Sequence, residues 1–134
     1  MKIAFLSDIH ANIDAFESVL QTIDNDKIET IFIAGDLVGY YYNPDKVIDI
    51  CMSRDDIHCI RGNHDRNFLK ALNDKSFMLK MIEKYGSSYR ITREKLSDKQ
   101  ITWLENLPTK LELTIEQVSI TIAHGSINSE DEYI

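Results

Sequence analysis

The stretch IAFLSDIHANIDAFESVLQTI, residues 3–23, changes its hydrophobic period partway along. Ile3 to Leu6 form a short continuous apolar run, whereas Ile13, Phe16, Val19, Leu20 and Ile23 recur at helical spacing behind Asn12, a residue suited to cap a helix. Strand then amphipathic helix is the predicted order. The unit repeats: residues 30–34 read as a strand, Asn43 and Pro44 as cap and first helical position before Val47, Ile48 and Cys51, and residues 57–60 as a third strand. Three such steps imply an α/β fold with a largely parallel sheet covered by helices.

Beyond these steps the spacing turns helical from Asp65 to about Asn106. Phe77, Met78, Met81, Ile82 and Tyr85 make one stripe, and Ser97 with Gln100 makes a capping box before Ile101 and Leu104. Pro108 ends the helical region. Leu111, Leu113 and Ile115 then alternate with polar residues, as do Val118, Ile120 and Ile122, so residues 110–123 are predicted to form an antiparallel hairpin with one buried face. Its turn at Glu116 and Gln117 lacks Asn-Gly chemistry.

The whole chain, 134 residues and 15.5 kDa, suits a single domain over residues 1–134 with one hydrophobic core. Its 15 basic and 22 acidic residues leave a net charge of −7, which argues against a general binder of nucleic acid. No apolar run approaches the roughly 18 residues of a membrane span, and Ser7 and Asp8 interrupt the N-terminal run before a signal peptide's apolar region of about 7 residues is reached. A cytoplasmic protein without membrane partners is the expectation. Cys51 and Cys59 lie in apolar stretches outside any zinc-ribbon spacing and read as reduced, buried thiols.

The chemically capable residues gather where strands end: Asp8 and His10 after the first, Gly35 and Asp36 after the second, Gly62 to Asp65 after the third, His124 and Gly125 after the last. Carboxyl ends of neighbouring parallel strands converge on a crevice, where open α/β sheets place ligands. Singly, Asp36 also fits a turn start, Asn63 an Asx turn and Asp8 a helix cap. Together, carboxylate, imidazole and amide donors at one rim suit divalent cations such as Mn²⁺, Fe²⁺ or Zn²⁺, and one carboxylate can bridge two of them. Tyr40, Tyr41 and Tyr42 beside Asp36 fit either a stacking floor for a substrate or plain packing, and Arg61 and Arg66 either phosphate contact or solvation.

The blocks Asp8-Ile9-His10, Gly35-Asp36-Leu37-Val38-Gly39, Gly62-Asn63-His64-Asp65 and His124-Gly125 resemble, in order, the DxH, GDxxG, GNH(D/E) and His-Gly motifs of the calcineurin-like metallophosphoesterase superfamily. GDLVGYYYNP and HGSINSEDEYI look most like its compact bacterial phosphodiesterase branch. The resemblance implies an α/β/β/α sandwich and two divalent ions, Mn²⁺ foremost, with Fe²⁺, Zn²⁺ or Ni²⁺ as alternatives. Asp8 and His10 would hold one ion, Asp36 would bridge, and Asn63 with His124 would hold the second. A metal-bound hydroxide would attack phosphorus in line. His64 would face a small phosphorylated substrate and stabilise the transition state or protonate the leaving oxygen, with Asp65 orienting it.

The family's closing GHxH block does not occur in this sequence. The resemblance therefore implies a C-terminally truncated form with an incomplete second sheet, weaker metal binding, and self-association near the hairpin. Hydrolysis of a phosphodiester or phosphomonoester is the activity implied. A catalytically impaired metal-binding remnant, serving interaction or regulation, is the alternative. The phosphoprotein phosphatase branch fits less well, because Gly39 and Tyr40 stand where it carries Asp-Arg.

Overall fold

The computed structural model describes residues 1–132; Tyr133 and Ile134, which close the HGSINSEDEYI stretch, lie outside the described residues. Its elements run β1 (Ile3–Leu6), α1 (Ile13–Asn25), β2 (Thr30–Ile33), α2 (Pro44–Ser53), β3 (Ile57–Cys59), α3 (Asn63–Asn73), α4 (Lys75–Tyr85), α5 (Ser88–Lys95), α6 (Asp98–Glu105), β4 (Lys110–Ile115) and β5 (Val118–Ala123).

The first three strands form a parallel sheet in the order β1-β2-β3, with Ile3 beside Thr30 and Ile31 beside Ile57. Alternation along β2 sends its side chains to opposite faces. Ile31 and Ile33 join Phe16, Leu20, Val47, Ile48 and Phe68 in a core shared with the helices. Phe32 packs the other way, with Ile60 and Ile122, against Leu111, Leu113 and Ile120 of the β4–β5 hairpin. Helices, parallel sheet and hairpin thus stack in three layers, and the rim of the middle layer is left for the site.

Local chemistry sets the boundaries. Asn12 caps α1 by accepting the Ala15 amide at 3.2 Å. The same helix ends in a Schellman motif: Lys27, at φ 54°, bonds back to the Asp24 carbonyl, and Ile28 to that of Ile23. The helical region after Asp65 is four helices rather than one, because Asp74 caps α4, Gly86 at φ 78° ends it, and Ser97 with Gln100 forms the expected capping box of α6. Asn43 holds the N-cap position of α2 without a side-chain cap bond, and Pro44, which has no amide to satisfy, opens the helix. At the hairpin tip Glu116 and Gln117 both have positive φ, 47° and 71°, the I′-type twist that matches paired strands, achieved here without Asn-Gly. Cys51 and Cys59 are free and buried. Among the described residues, no helix is long and apolar enough to cross a membrane.

Candidate metal centre

Beyond the ends of β1 and β2 the two following loops keep bonding to each other: the amides of Asp8, His10 and Ala11 donate to the carbonyls of Gly35, Asp36 and Leu37 at 3.1, 2.9 and 2.8 Å. This extension forces unusual backbone. Asp8, His10 and Asp36 all adopt positive φ, 57°, 50° and 59°, a region that costs a non-glycine residue on the order of 1 kcal/mol. Three of the five expected ligands are therefore held in strained conformations.

The third loop wedges against the second at glycines. A Cβ on Gly62 would lie 2.2 Å from Asp36 Oδ1 and 2.4 Å from its amide nitrogen, so only hydrogen fits there. Asp65, fully buried at the start of α3, ties the loops: Oδ2 accepts the amides of Asp36 and Gly62, both at 2.9 Å, and Oδ1 accepts those of Leu37 and Val38 at 2.9 and 3.1 Å. The expectation that Asp65 orients the His64 ring is thereby corrected. Both its oxygens are committed to backbone donors, and it positions the loop that carries Asp36. Burial, reinforced by the nearby Asp36 charge, pushes the Asp65 carboxyl up to about 7, against the opposing pull of those amides.

Asp8, His10 and Asp36 come together with ligand atoms all within 4.8 Å of one another. Asn63 and His124 adjoin them: His124 Nε2 lies 3.5 Å from Asp36 Oδ2 and 2.7 Å from Asn63 Oδ1, and His10 Nε2 lies 3.7 Å from the same Asp36 oxygen. Asp36 Oδ2 is thus flanked by two imidazoles, while Oδ1 is held by the His64 amide at 2.8 Å. Burial pushes the Asp36 carboxyl up to about 6.

The other nitrogen of each imidazole decides what the cluster can hold. His10 Nδ1 meets the Val38 carbonyl at 2.9 Å and His124 Nδ1 meets that of Ala34 at 2.7 Å. A carbonyl only accepts, so each Nδ1 carries a proton and each ring turns its Nε2 into the cluster. Two imidazole nitrogens, a carboxylate oxygen and an amide oxygen then face one another, a donor set that fits divalent cations once an ion displaces the proton that His124 Nε2 shares with Asn63 Oδ1 at 2.7 Å.

His64 is set apart from this group. Its ring is buried and edged by His10, Tyr40 and Tyr85 at centroid distances of 5.0, 5.0 and 4.7 Å, and its Nδ1 lies 2.9 Å from Tyr89 Oη. Burial, with the neighbouring His10 and His124, pushes its pKa down to about 4, so the ring is neutral at pH 7. Motif spacing missed Tyr85 and Tyr89. Tyr85 carried only its place in the apolar stripe, and Tyr89 only the general signal that a buried tyrosine needs a partner for its hydroxyl.

A cavity of about 580 Å³ opens over the cluster, lined by Asp8, Asp36, Tyr40, Lys84, Tyr85 and Glu130 among others. Of the two arginines, Arg66 pairs with Glu130 and Asp131 at 3.2 and 2.9 Å, and Arg61 donates to the Glu105 carbonyl. The lining is rich in carboxylates, so an anionic ligand enters favourably only alongside cations.

The model of the calcineurin-like phosphoesterase superfamily domain matches residues 1–133. The chain is 32% identical over 127 residues to the uncharacterized protein MJ0912 of Methanocaldococcus jannaschii, an alignment covering 92% of this chain and 49% of that protein. It is 29% identical over 110 residues, 81% of this chain and 38% of the relative, to the symmetrical bis(5'-nucleosyl)-tetraphosphatase of Delftia acidovorans. Half or less of either curated relative is therefore spanned. The crystal structure of a metallophosphoesterase from Sphaerobacter thermophilus superposes with a TM-score of 0.77 at 26% identity, covering 100% of this chain and 51% of that one. With four motif blocks brought to one rim and the family model matched along nearly the whole chain, this protein belongs to the calcineurin-like phosphoesterase superfamily.

Proposed function

We propose that this chain is a divalent-metal-dependent hydrolase of phosphodiester or phosphomonoester bonds in a small phosphorylated substrate. The observation that carries the reading is the pair of Nε2 atoms, of His10 and His124, directed at one oxygen of Asp36. Asp8, His10 and Asp36 would hold one ion, and Asp36, Asn63 and His124 a second, with Mn²⁺ foremost. Bound there, such ions supply Lewis acidity toward phosphate oxygens and acidify water. Asp36 fixes the spacing of the two halves, Asp65 holds the loop that presents Asp36, and His64, neutral and lining the cavity, stabilises the transition state by a hydrogen bond to the departing oxygen. The name of the Delftia relative puts dinucleoside polyphosphates among the substrates to try. The reduced, buried cysteines suit the cytoplasm, and Phe5 and Val118, exposed on the sheet and the hairpin, favour self-association.

The test is hydrolysis of bis-p-nitrophenyl phosphate, p-nitrophenyl phosphate and a dinucleoside tetraphosphate with Mn²⁺, Fe²⁺, Zn²⁺ or Ni²⁺ added to the metal-free protein. Turnover abolished by Asp36→Asn is the expected result. Mn²⁺ binding without turnover on any ester would instead mark an interaction or regulatory domain, and preference for phosphopeptides a phosphoprotein phosphatase.

A further inference from the structure

Three histidines meet at the rim, and the partner of each Nδ1 separates them. For His10 and His124 it is a backbone carbonyl, which compels Nδ1–H and leaves Nε2 to face the cluster. For His64 it is the Tyr89 hydroxyl, a group that donates as well as accepts. The phenol has one proton and, among the described residues, two acceptors in reach: His64 Nδ1 at 2.9 Å and the His64 carbonyl oxygen at 3.5 Å, the limit of a hydrogen bond. Distance favours the ring, and an imidazole nitrogen is a far stronger base than an amide oxygen, so O–H···Nδ1 is the better bond. The remaining ring proton then lies on Nε2.

The phenol is well placed to enforce this arrangement. Tyr89 is 1% exposed on α5, stacks on Tyr85 with centroids 6.0 Å apart and planes at 19°, and packs on Phe68. Gly39 leaves room along the same edge, since a Cβ there would come within 2.9 Å of His64 Nδ1. We propose that Tyr89 is the positioning residue of the site, holding His64 as the Nε2–H tautomer so that a neutral imidazole presents a donor to the cavity. Carbonyl partners thus set two rings to accept a cation, and a phenol sets the third to donate. The catalytic half of this inference rests on the phosphoesterase reading; the tautomer does not.

Two measurements test it. Nitrogen-15 NMR of the metal-free full chain at pH 7 reads the His64 tautomer directly, in wild type and in Tyr89→Phe, which removes one oxygen and keeps the ring. Wild type should show Nε2–H, and the variant should gain the Nδ1–H form. With Mn²⁺ and bis-p-nitrophenyl phosphate, Tyr89→Phe should lower kcat about ten- to a hundredfold while KM and Mn²⁺ affinity stay within about twofold. Nδ1–H in wild type, or a tautomer unmoved by Tyr89→Phe, overturns the proposal. A moved tautomer with unchanged kcat overturns the part Tyr89 plays in the reaction. Absence of turnover in wild type would count against the phosphoesterase reading alone, because the NMR result judges the tautomer independently.

Discussion

Asp36 and His124 stand 88 positions apart in sequence and 3.5 Å apart in space, carboxylate oxygen to imidazole nitrogen. His124 is held there by its Nδ1–H bond to Ala34, so the last strand delivers its ligand to the turn that carries Asp36. Asp36 is the residue on which both halves of the cluster depend.

Asp36→Asn should therefore lower Mn²⁺ affinity by about a hundredfold or more, given the loss of an anionic donor between two imidazoles. His64→Ala should leave that affinity within about threefold and reduce kcat by about 10²- to 10⁴-fold. Titration calorimetry beside a steady-state assay separates the two. Equal metal loss in both variants would place His64 among the ligands.

Acid should weaken metal binding in a defined window. Burial raises the Asp36 carboxyl to about 6, so below that pH an incoming ion must displace a proton. Mn²⁺ affinity should fall by up to about tenfold per pH unit below 6 and flatten above it. For the metal-free fold the sign is opposite. A carboxyl whose folded pKa is raised contributes stability below its unfolded value near 3.8, and that contribution is lost as pH climbs through 6.

Asp65 gives a stability prediction where the motif reading expected a kinetic one. With four backbone amides on its carboxylate, Asp65→Ala should cost on the order of 3–5 kcal/mol, measured by urea unfolding of the metal-free chain. A variant of wild-type stability but reduced kcat would restore the role of orienting His64.

Strain outside the site is open to relief. Lys27 is exposed, occupies the left-handed position of the α1 Schellman motif, and touches none of the site residues. Lys27→Gly should raise unfolding stability by about 0.5–1 kcal/mol. The same change at Asp8 or His10 would remove a ligand together with the strain.

The period switch at Ile3–Ile23, the Asn12 cap, the capping box at Ser97 and the alternation after Lys110 were all legible because each is a local rule with a local cause. That the five candidate ligands share one rim was legible for a different reason, that strand ends of a parallel sheet converge. Three features were not. The breaks at Asp74 and Gly86 interrupt a stretch whose apolar spacing continues across them. The true partners of Asp65 are backbone amides, which have no signature in side-chain motifs. Tyr89 reaches His64 across 25 residues and two helix junctions, a contact that packing creates and periodicity does not encode.

The order in which the chain closes follows from where His124 sits. Asp8, His10, Asp36 and Asn63 all arise within the first half of the sequence, on loops joined by neighbouring βα units, whereas His124 reaches Ala34 across 90 residues and Asn63 across 61. Loops of that size close slowly and at an entropic cost that only a formed core repays. The β4–β5 hairpin can assemble early from its own contacts, yet its ligand arrives late, once the hairpin docks on Phe32 and Ile60. If the proposed second ion binds at the Asn63–His124 side, its capture would be a readout of completed folding.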